Sequence, residues 1–432
     1  MQGVAPRFPA AGPAMSYCLP IPAMAGLAAG RGHTRGYGED FVKDRDDYRV
    51  RRLSDCHKIA DFRELARRRL PFPVFNYIDG AADDEATRRR NTAAFADVDL
   101  VPDVLVGADR LDLATTIMGR ETALPLMLSP TALQRIFHWQ GERAVAAVAE
   151  RHGLWFGISS LSTVSIEEVG ERWRGPKMLQ YYYHKDRGLN AALVERAKAA
   201  KFDAIALTVD TIVSGNRERC KRTGFTTPPR FTPANVLSYA RHPKWALNFL
   251  FREKFDLPNL STYVEAGSGK AISIQDYFNT MLDPGLNWQA AERLRNDWGG
   301  MFCLKGIMSV GDARRAADMG VDAIMVSNHG GRQMDGGRAP FDQLAEIVDA
   351  VGDRVEVILD GGVTRGNHVV KALSMGAKAA SGGRLYLYAL AAAGEEGVER
   401  AVTILSDEIQ RAMKLMGKTC PAELSRDNLR SR

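Results

Sequence analysis

Eight short apolar runs, each closing on small or polar residues and separated by helical patterns, follow one another from Leu124 onward. They are Leu124 to Ser129, Leu154 to Ser159, Lys177 to Tyr182, Ala204 to Asp210, Met301 to Gly306, Ala323 to His329, Glu356 to Gly362 and Ala377 to Arg384. Apolar runs this short and unbroken suit strands buried on both faces, as in a parallel sheet. Between them, Gly141 to Gly153, Gly188 to Phe202, Gly311 to Gly320 and Phe341 to Val351 carry apolar residues three and four apart, the stripe of a helix packed on a sheet. Eight strand and helix units within roughly 260 residues predict an α/β fold of the (β/α)8 TIM-barrel type. A doubly wound open sheet is the alternative, but no GxGxxG follows an early strand, so a dinucleotide site of that kind lacks its fingerprint.

A barrel enzyme draws its chemistry from the carboxyl ends of several strands. Here those ends supply Pro130 and Thr131, Ser159 and Ser160, Gln180 and Tyr182, Thr208 and Asp210, Lys305, Ser327 and His329, Asp360 with Gly361 and Gly362, and Gly383 with Arg384. A single strand-terminal Ser or Thr more often caps the next helix. Convergence of the whole set on one rim points instead to a site. His329 and Arg332, beside Gly330 and Gly331, offer a base and an anion clamp where the backbone opens into a cavity; a solvated surface loop is the plainer reading. Gly361, Gly362, Gly366 and Gly383 let backbone amides approach a ligand where barrels commonly bind phosphate, and Arg365 and Arg384 could add charge-assisted bonds. Tight turns alone would also call for those glycines.

Composition narrows the function classes. Lys and Arg outnumber Asp and Glu by 58 to 52 and are spread along the chain, which gives nucleic acid no concentrated footprint. The five cysteines are scattered without zinc-type spacing, which argues against a cysteine metal site and for a reducing, cytoplasmic setting. Residues 1–50 combine Pro9, Pro13, Pro20 and Pro22 with Gly and Ala and read as a poorly ordered extension, with a start near Met15 or later. Their prolines break any signal-type apolar core. Residues 51–432 then form the barrel, with an insertion of about 220–296 after the fourth strand that must lie over the active rim. Within it, Tyr239 to Arg252 mixes aromatics, aliphatics and cations. That pattern suits either an interfacial helix over 239–255 making peripheral contact with the cytoplasmic face of the inner membrane, or a lid packed on the barrel.

The motifs Ser327-Asn328-His329-Gly330-Gly331-Arg332-Gln333-Met334-Asp335, Leu207-Thr208-Val209-Asp210-Thr211, Leu304-Lys305-Gly306, Ser129-Pro130-Thr131-Ala132, Leu179-Gln180-Tyr181-Tyr182 and Asp360-Gly361-Gly362 resemble the FMN-dependent α-hydroxy-acid oxidase and dehydrogenase family. That family includes glycolate oxidase, bacterial L-lactate dehydrogenases and mandelate dehydrogenase. The likeness covers about residues 53 to 420, and Phe75 to Gly80 with the long insertion look most like the lactate and mandelate dehydrogenase branch. It implies that His329 takes a proton from the substrate with Asp210 paired to it, that Arg217, Arg332 and Tyr77 hold the substrate carboxylate, and that Tyr182 lies near the reacting oxygen. It implies FMN held by Pro130, Thr131, Ala132, Ser159, Gln180, Thr208, Ser327, Asp360, Gly361, Gly362, Arg365, Gly383 and Arg384, with Lys305 beside the ring. The expected reaction is oxidation of an L-2-hydroxy acid such as L-lactate, with electrons passed to a quinone or other carrier, in a homo-oligomer; an oxygen-using oxidase is the nearest alternative. Two positions depart from the pattern: Thr364 stands where the family has Arg, and Ala379-Ala380-Ser381-Gly382 replace larger residues in the eighth strand. Both predict weaker FMN binding, and they motivate a further alternative, a cofactor-impaired barrel acting as a membrane-associated binding protein.

Overall fold

The computed structural model describes residues 49–225, 232–253, 256–260 and 279–432, so all but the last two residues of the expected N-terminal extension lie outside them. Eight strands close a barrel: β1 (Leu126–Thr131), β2 (Trp155–Ser159), β3 (Lys177–Tyr181), β4 (Ala204–Thr208), β5 (Met301–Ile307), β6 (Ala323–Val326), β7 (Glu356–Asp360) and β8 (Ala379–Gly382). All neighbours pair in parallel, and β8 returns to β1 through Ala380 opposite Leu126 and Gly382 opposite Leu128. The expected barrel is therefore the fold, with strand ends shifted by a few residues.

The small residues of β8 have bulky neighbours. Ala379 shares the barrel interior with Met127, Trp155, Met178 and Met325, whose bulk fills the space that alanines leave. β6 is shorter than its apolar run suggested, ending at Val326. The Ser327 hydroxyl accepts the His329 N–H at 3.2 Å and the Asn328 side chain accepts the Gly331 N–H at 3.1 Å, so side chains replace the ladder. His329, Gly330 and Gly331 then take φ of 57, 65 and 73°, which swings the chain into the cavity. For a histidine this left-handed conformation is strained, of order 1–3 kcal/mol, and such strain collects at functional sites.

Among the described residues, three α-helices precede the barrel, Ile59–Arg69, Phe72–Asp79 and Ala86–Ala93. They cap its carboxyl rim through hydrogen bonds such as Ala82 N–H to the Gly331 carbonyl and Asn91 to Asn328. Between β4 and β5 run Glu218–Thr223, Pro233–Ala240, Pro243–Phe251 and Trp288–Trp298. The helices Pro233–Ala240 and Pro243–Phe251 pack one face on the barrel and leave another exposed. Trp245 is buried, stacks on Tyr239 with ring centres 5.4 Å apart, and donates its indole N–H to the Ile136 carbonyl at 2.7 Å. Val236, Leu237, Leu247 and Phe251 are meanwhile 47, 52, 53 and 78% exposed. No helix among the described residues is long and apolar enough to cross a membrane.

Candidate active site

The strand ends and the N-terminal helices enclose a cavity of about 370 Å³, within the range of small-molecule sites. His329 and Asp210 come together in it, from the turn after β6 and the loop after β4, with Nδ1 3.1 Å from Oδ1. A carboxylate can only accept, so Nδ1 carries the proton and Nε2 is left as the basic nitrogen. Burial holds the His329 imidazole below its usual range, while Asp210 pulls the other way. The result is a neutral base near pH 7 with a carboxylate ready to stabilise its cationic form. Among the described residues, the second Asp210 oxygen is buried without a hydrogen-bond partner. Gly306 makes room for this carboxylate: at φ 110°, a Cβ there would sit 2.8 Å from the Asp210 side chain. Gly306→Ala should therefore displace Asp210 and lower kcat roughly tenfold to a hundredfold, the scale of a misplacement of about 1 Å. Unchanged steady-state kinetics would show that Asp210 is not held by this contact.

Arg217 and Arg332 line the same cavity, with Tyr77 and Tyr182. Arg332 lies over the Tyr77 ring at 4.8 Å and donates to the Tyr77 and Gly80 carbonyls at 2.6 and 3.0 Å. Burial and the nearby Arg332 charge push Arg217 down to about 10, so the pair gains from an anion between them. Gln333 fixes the arrangement, and motif reading missed it although it follows Arg332 directly. Its carbonyl oxygen accepts from Arg217 Nη2 at 3.1 Å and the Gly215 N–H at 3.3 Å, while its amide donates to the Val213 and Asp210 carbonyls at 2.8 and 3.3 Å. One side chain thus ties the clamp to the loop that carries the base's partner. Gln333→Ala should raise KM about tenfold, the loss of one charge-assisted bond, with a smaller change in kcat. A fall in kcat alone would remove this positioning role.

Along the opposite wall the polar strand ends form a chain. Ser159 donates to Gln180 at 2.8 Å and Gln180 to Thr208 at 2.7 Å. Lys305 reaches Asp360 at 2.5 Å and Ser327 at 2.9 Å. Burial alone would lower the lysine and raise the carboxyl, but their attraction wins, with Lys305 held high, Asp360 held low and both charged. The backbone of Pro130, Thr131 and Ala132 is braced by Tyr386, which donates to the Ser129 carbonyl and bonds the Thr131 hydroxyl, both at 2.7 Å. Glu142 was also missed. It accepts the Gln134 and Thr163 N–H groups and so joins the loops after β1 and β2, where burial pushes its carboxyl up.

FMN fits this chamber. The polar chain suits the hydrogen-bonding edge of a flat ring system, and Lys305 stands beside it as a fixed positive charge. At the far end the backbone forms a cradle: Gly361 and Gly362 have φ of 111 and 74°, and a Cβ on Gly383 would meet Thr131 at 2.6 Å. The arginines placed there by motif are partly committed. Arg365 pairs with Glu408 at 2.8 Å, and Arg384 donates to the Ile78, Gly80 and Gly330 carbonyls at 2.7 to 2.9 Å. Both still line the cavity, as do Thr364 and, from the N-terminal helices, Arg63 and Arg88, which pair with Asp79 and Glu85.

The family described as FMN-dependent dehydrogenase matches residues 66–431. The chain belongs to the FMN-dependent dehydrogenase family. This flavoenzyme, whose cofactor is FMN, is 39% identical over 374 residues to the L-lactate dehydrogenase of Vibrio parahaemolyticus, covering 86% of this chain and 97% of that one. It is 37% identical to a putative L-lactate dehydrogenase of Mycobacterium tuberculosis, covering 89 and 92%. Among solved structures, the monotopic membrane protein (S)-mandelate dehydrogenase superposes with a TM-score of 0.83 at 32% identity, covering 87% of this chain and all of that one. A mandelate oxidase superposes at 0.74 and 34% identity, covering 87 and 98%.

Proposed function

We propose that this FMN-dependent dehydrogenase oxidises an L-2-hydroxy acid, L-lactate or a close relative, to the 2-oxo acid and passes the electrons to a membrane quinone or another carrier. The observation that carries the reading is the placement of two guanidiniums, Arg217 and Arg332, in one cavity with the His329–Asp210 pair. A planar guanidinium can bond both oxygens of a carboxylate, and two of them fix its orientation. The carbon next to that carboxylate then comes within reach of His329, which takes a proton from the substrate while Asp210 stabilises the imidazolium. The Tyr77 and Tyr182 hydroxyls serve the carboxylate and the reacting oxygen. FMN, when bound, would supply the acceptor for the two electrons that leave the α-carbon, and Lys305 would stand beside its ring as a stabilising positive charge.

The lactate dehydrogenase relatives support the small acid. The membrane-bound relative and the exposed Val236, Leu237, Leu247 and Phe251 support a peripheral membrane contact and a lipid-borne acceptor. Anaerobic mixing with L-lactate, its D enantiomer and (S)-mandelate, read by loss of flavin absorbance, tests the substrate. Reoxidation by a quinone or by oxygen then decides the acceptor. Bleaching by L-lactate and rapid recovery with quinone are expected. No bleaching by any 2-hydroxy acid would end the reading, and faster recovery with oxygen would make the enzyme an oxidase.

A further inference from the structure

A second cavity, of about 460 Å³, opens where the insertion helices meet the end of the Ile59–Arg69 helix and the loop after β1. Arg69, Arg135, Arg241 and Lys244 line it beside the indoles of Trp139 and Trp245, and none of its described lining residues is Asp or Glu. Arg135 has the Glu253 carboxylate at 3.7 Å. Among the described residues, no carboxylate pairs with the side chains of Arg69, Arg241 or Lys244. The first turn of the Pro243–Phe251 helix also lines the cavity, and among the described residues no side chain caps it, so the positive end of the helix adds to the field. Arg69, Arg241 and Lys244, which no described carboxylate pairs, repel one another across the hole, and an anion of suitable size relieves that repulsion.

The helix periodicity says what kind of anion. Lys244 and Asn248 line the cavity. Leu247 and Phe251, three and seven residues beyond Lys244, fall on the same helix face and are exposed. The cationic hole is thus continued along the helix by an apolar strip. A ligand that matches both has a phosphate head and a hydrocarbon tail.

We propose that this cavity holds the phosphate headgroup of an anionic membrane lipid, with its chains lying along Leu247 and Phe251. The proposal rests on the peripheral membrane contact argued above and names the lipid chemistry that contact selects. The full-length holoenzyme should co-sediment more strongly with vesicles of phosphatidylcholine plus phosphatidylglycerol than with phosphatidylcholine alone. The combined variant Arg69→Gln, Arg241→Gln, Lys244→Gln should lose that preference, roughly fivefold in affinity for each cation removed. Its turnover with a soluble acceptor should be unchanged. A charge-matched control, Arg314→Gln, Arg411→Gln, Lys414→Gln, alters exposed cations outside the cavity and should keep the preference.

If the cavity variant keeps the preference, or the control loses as much, the headgroup site is overturned while the membrane contact stands. If inorganic phosphate raises the melting temperature of wild type but not of the cavity variant, and the two vesicles bind alike, the occupant is free phosphate and the lipid assignment is overturned. Failure of wild type to sediment with either vesicle overturns both readings. Leu247→Asp with Phe251→Asp separates the two contributions, and should weaken binding to both kinds of vesicle.

Discussion

Replacing His329 by Gln should lower kcat by about two to four orders of magnitude while FMN stays bound, the scale of a positioned general base. Gln approximates the imidazole in size and polarity but cannot take a proton near neutrality. Retained flavin absorbance with lost turnover separates a missing base from a damaged cofactor site, and turnover within a few fold of wild type would remove His329 from the mechanism. The pH profile adds a second readout. Burial lowers the His329 pKa and Asp210 opposes that shift, so the balance lies below the ordinary imidazole value of about 6.5. The active form is the neutral one, so activity holds above the folded pKa and is lost as pH falls through it. The acid limb of kcat/KM should therefore fall below about 6.5. In Asp210→Asn the opposing pull is gone, and the limb should move lower still while the plateau rate falls.

The second large effect concerns stability. Asp79→Ala should cost about 3–5 kcal/mol, the usual result of removing one partner from a buried charge network. Asp79 is fully buried and accepts from Arg63 at 2.5 and 2.8 Å, Arg219 at 2.8 Å and the Tyr388 hydroxyl at 2.8 Å. Burial alone would raise its carboxyl, but these guanidiniums hold it well below the usual carboxylate range. Without it, Arg63 loses its carboxylate partner, Arg219 keeps the Glu85 carboxylate, and the helices that roof the cavity lose their anchor to Tyr388. Asp79→Asn should fall nearly as far, because what is lost is charge and not volume. Chemical denaturation of holoenzyme and variants measures this, and a loss below about 1 kcal/mol, the level of an exposed ion pair, would reduce the network to a surface contact.

The barrel was legible because buried parallel strands leave an unmistakable mark, eight apolar runs between helical stripes. The groups on the strand ends were legible for the same reason, since a run such as Ala323 to Val326 announces where its polar successors must point. What sequence did not give were the residues that hold others in place. Gln333 follows Arg332 directly, yet its four bonds go to three backbone groups and to Arg217, 116 to 123 residues away in chain order. Asp79 reads as the end of a short helix until Arg63, Arg219 and Tyr388 gather around it. Arg365 and Arg384 looked like ligands for an anion, and the structure also gives them Glu408 and three carbonyls to hold. Sequence reveals which chemistry a residue offers; its competing commitments are set by chain segments far away.

One of those commitments bears on how the molecule is made. Arg332 and Arg384 grip carbonyls of Tyr77, Ile78 and Gly80, partners separated by 252 to 306 positions. During synthesis, the roof of the chamber leaves the ribosome long before the arginines that fasten it. At about 5–20 residues per second, that interval is of order tens of seconds. The substrate chamber is therefore closed by the last strand–helix unit to emerge, and a nascent chain that has completed seven strands holds its base and its partner without a finished room to use them in.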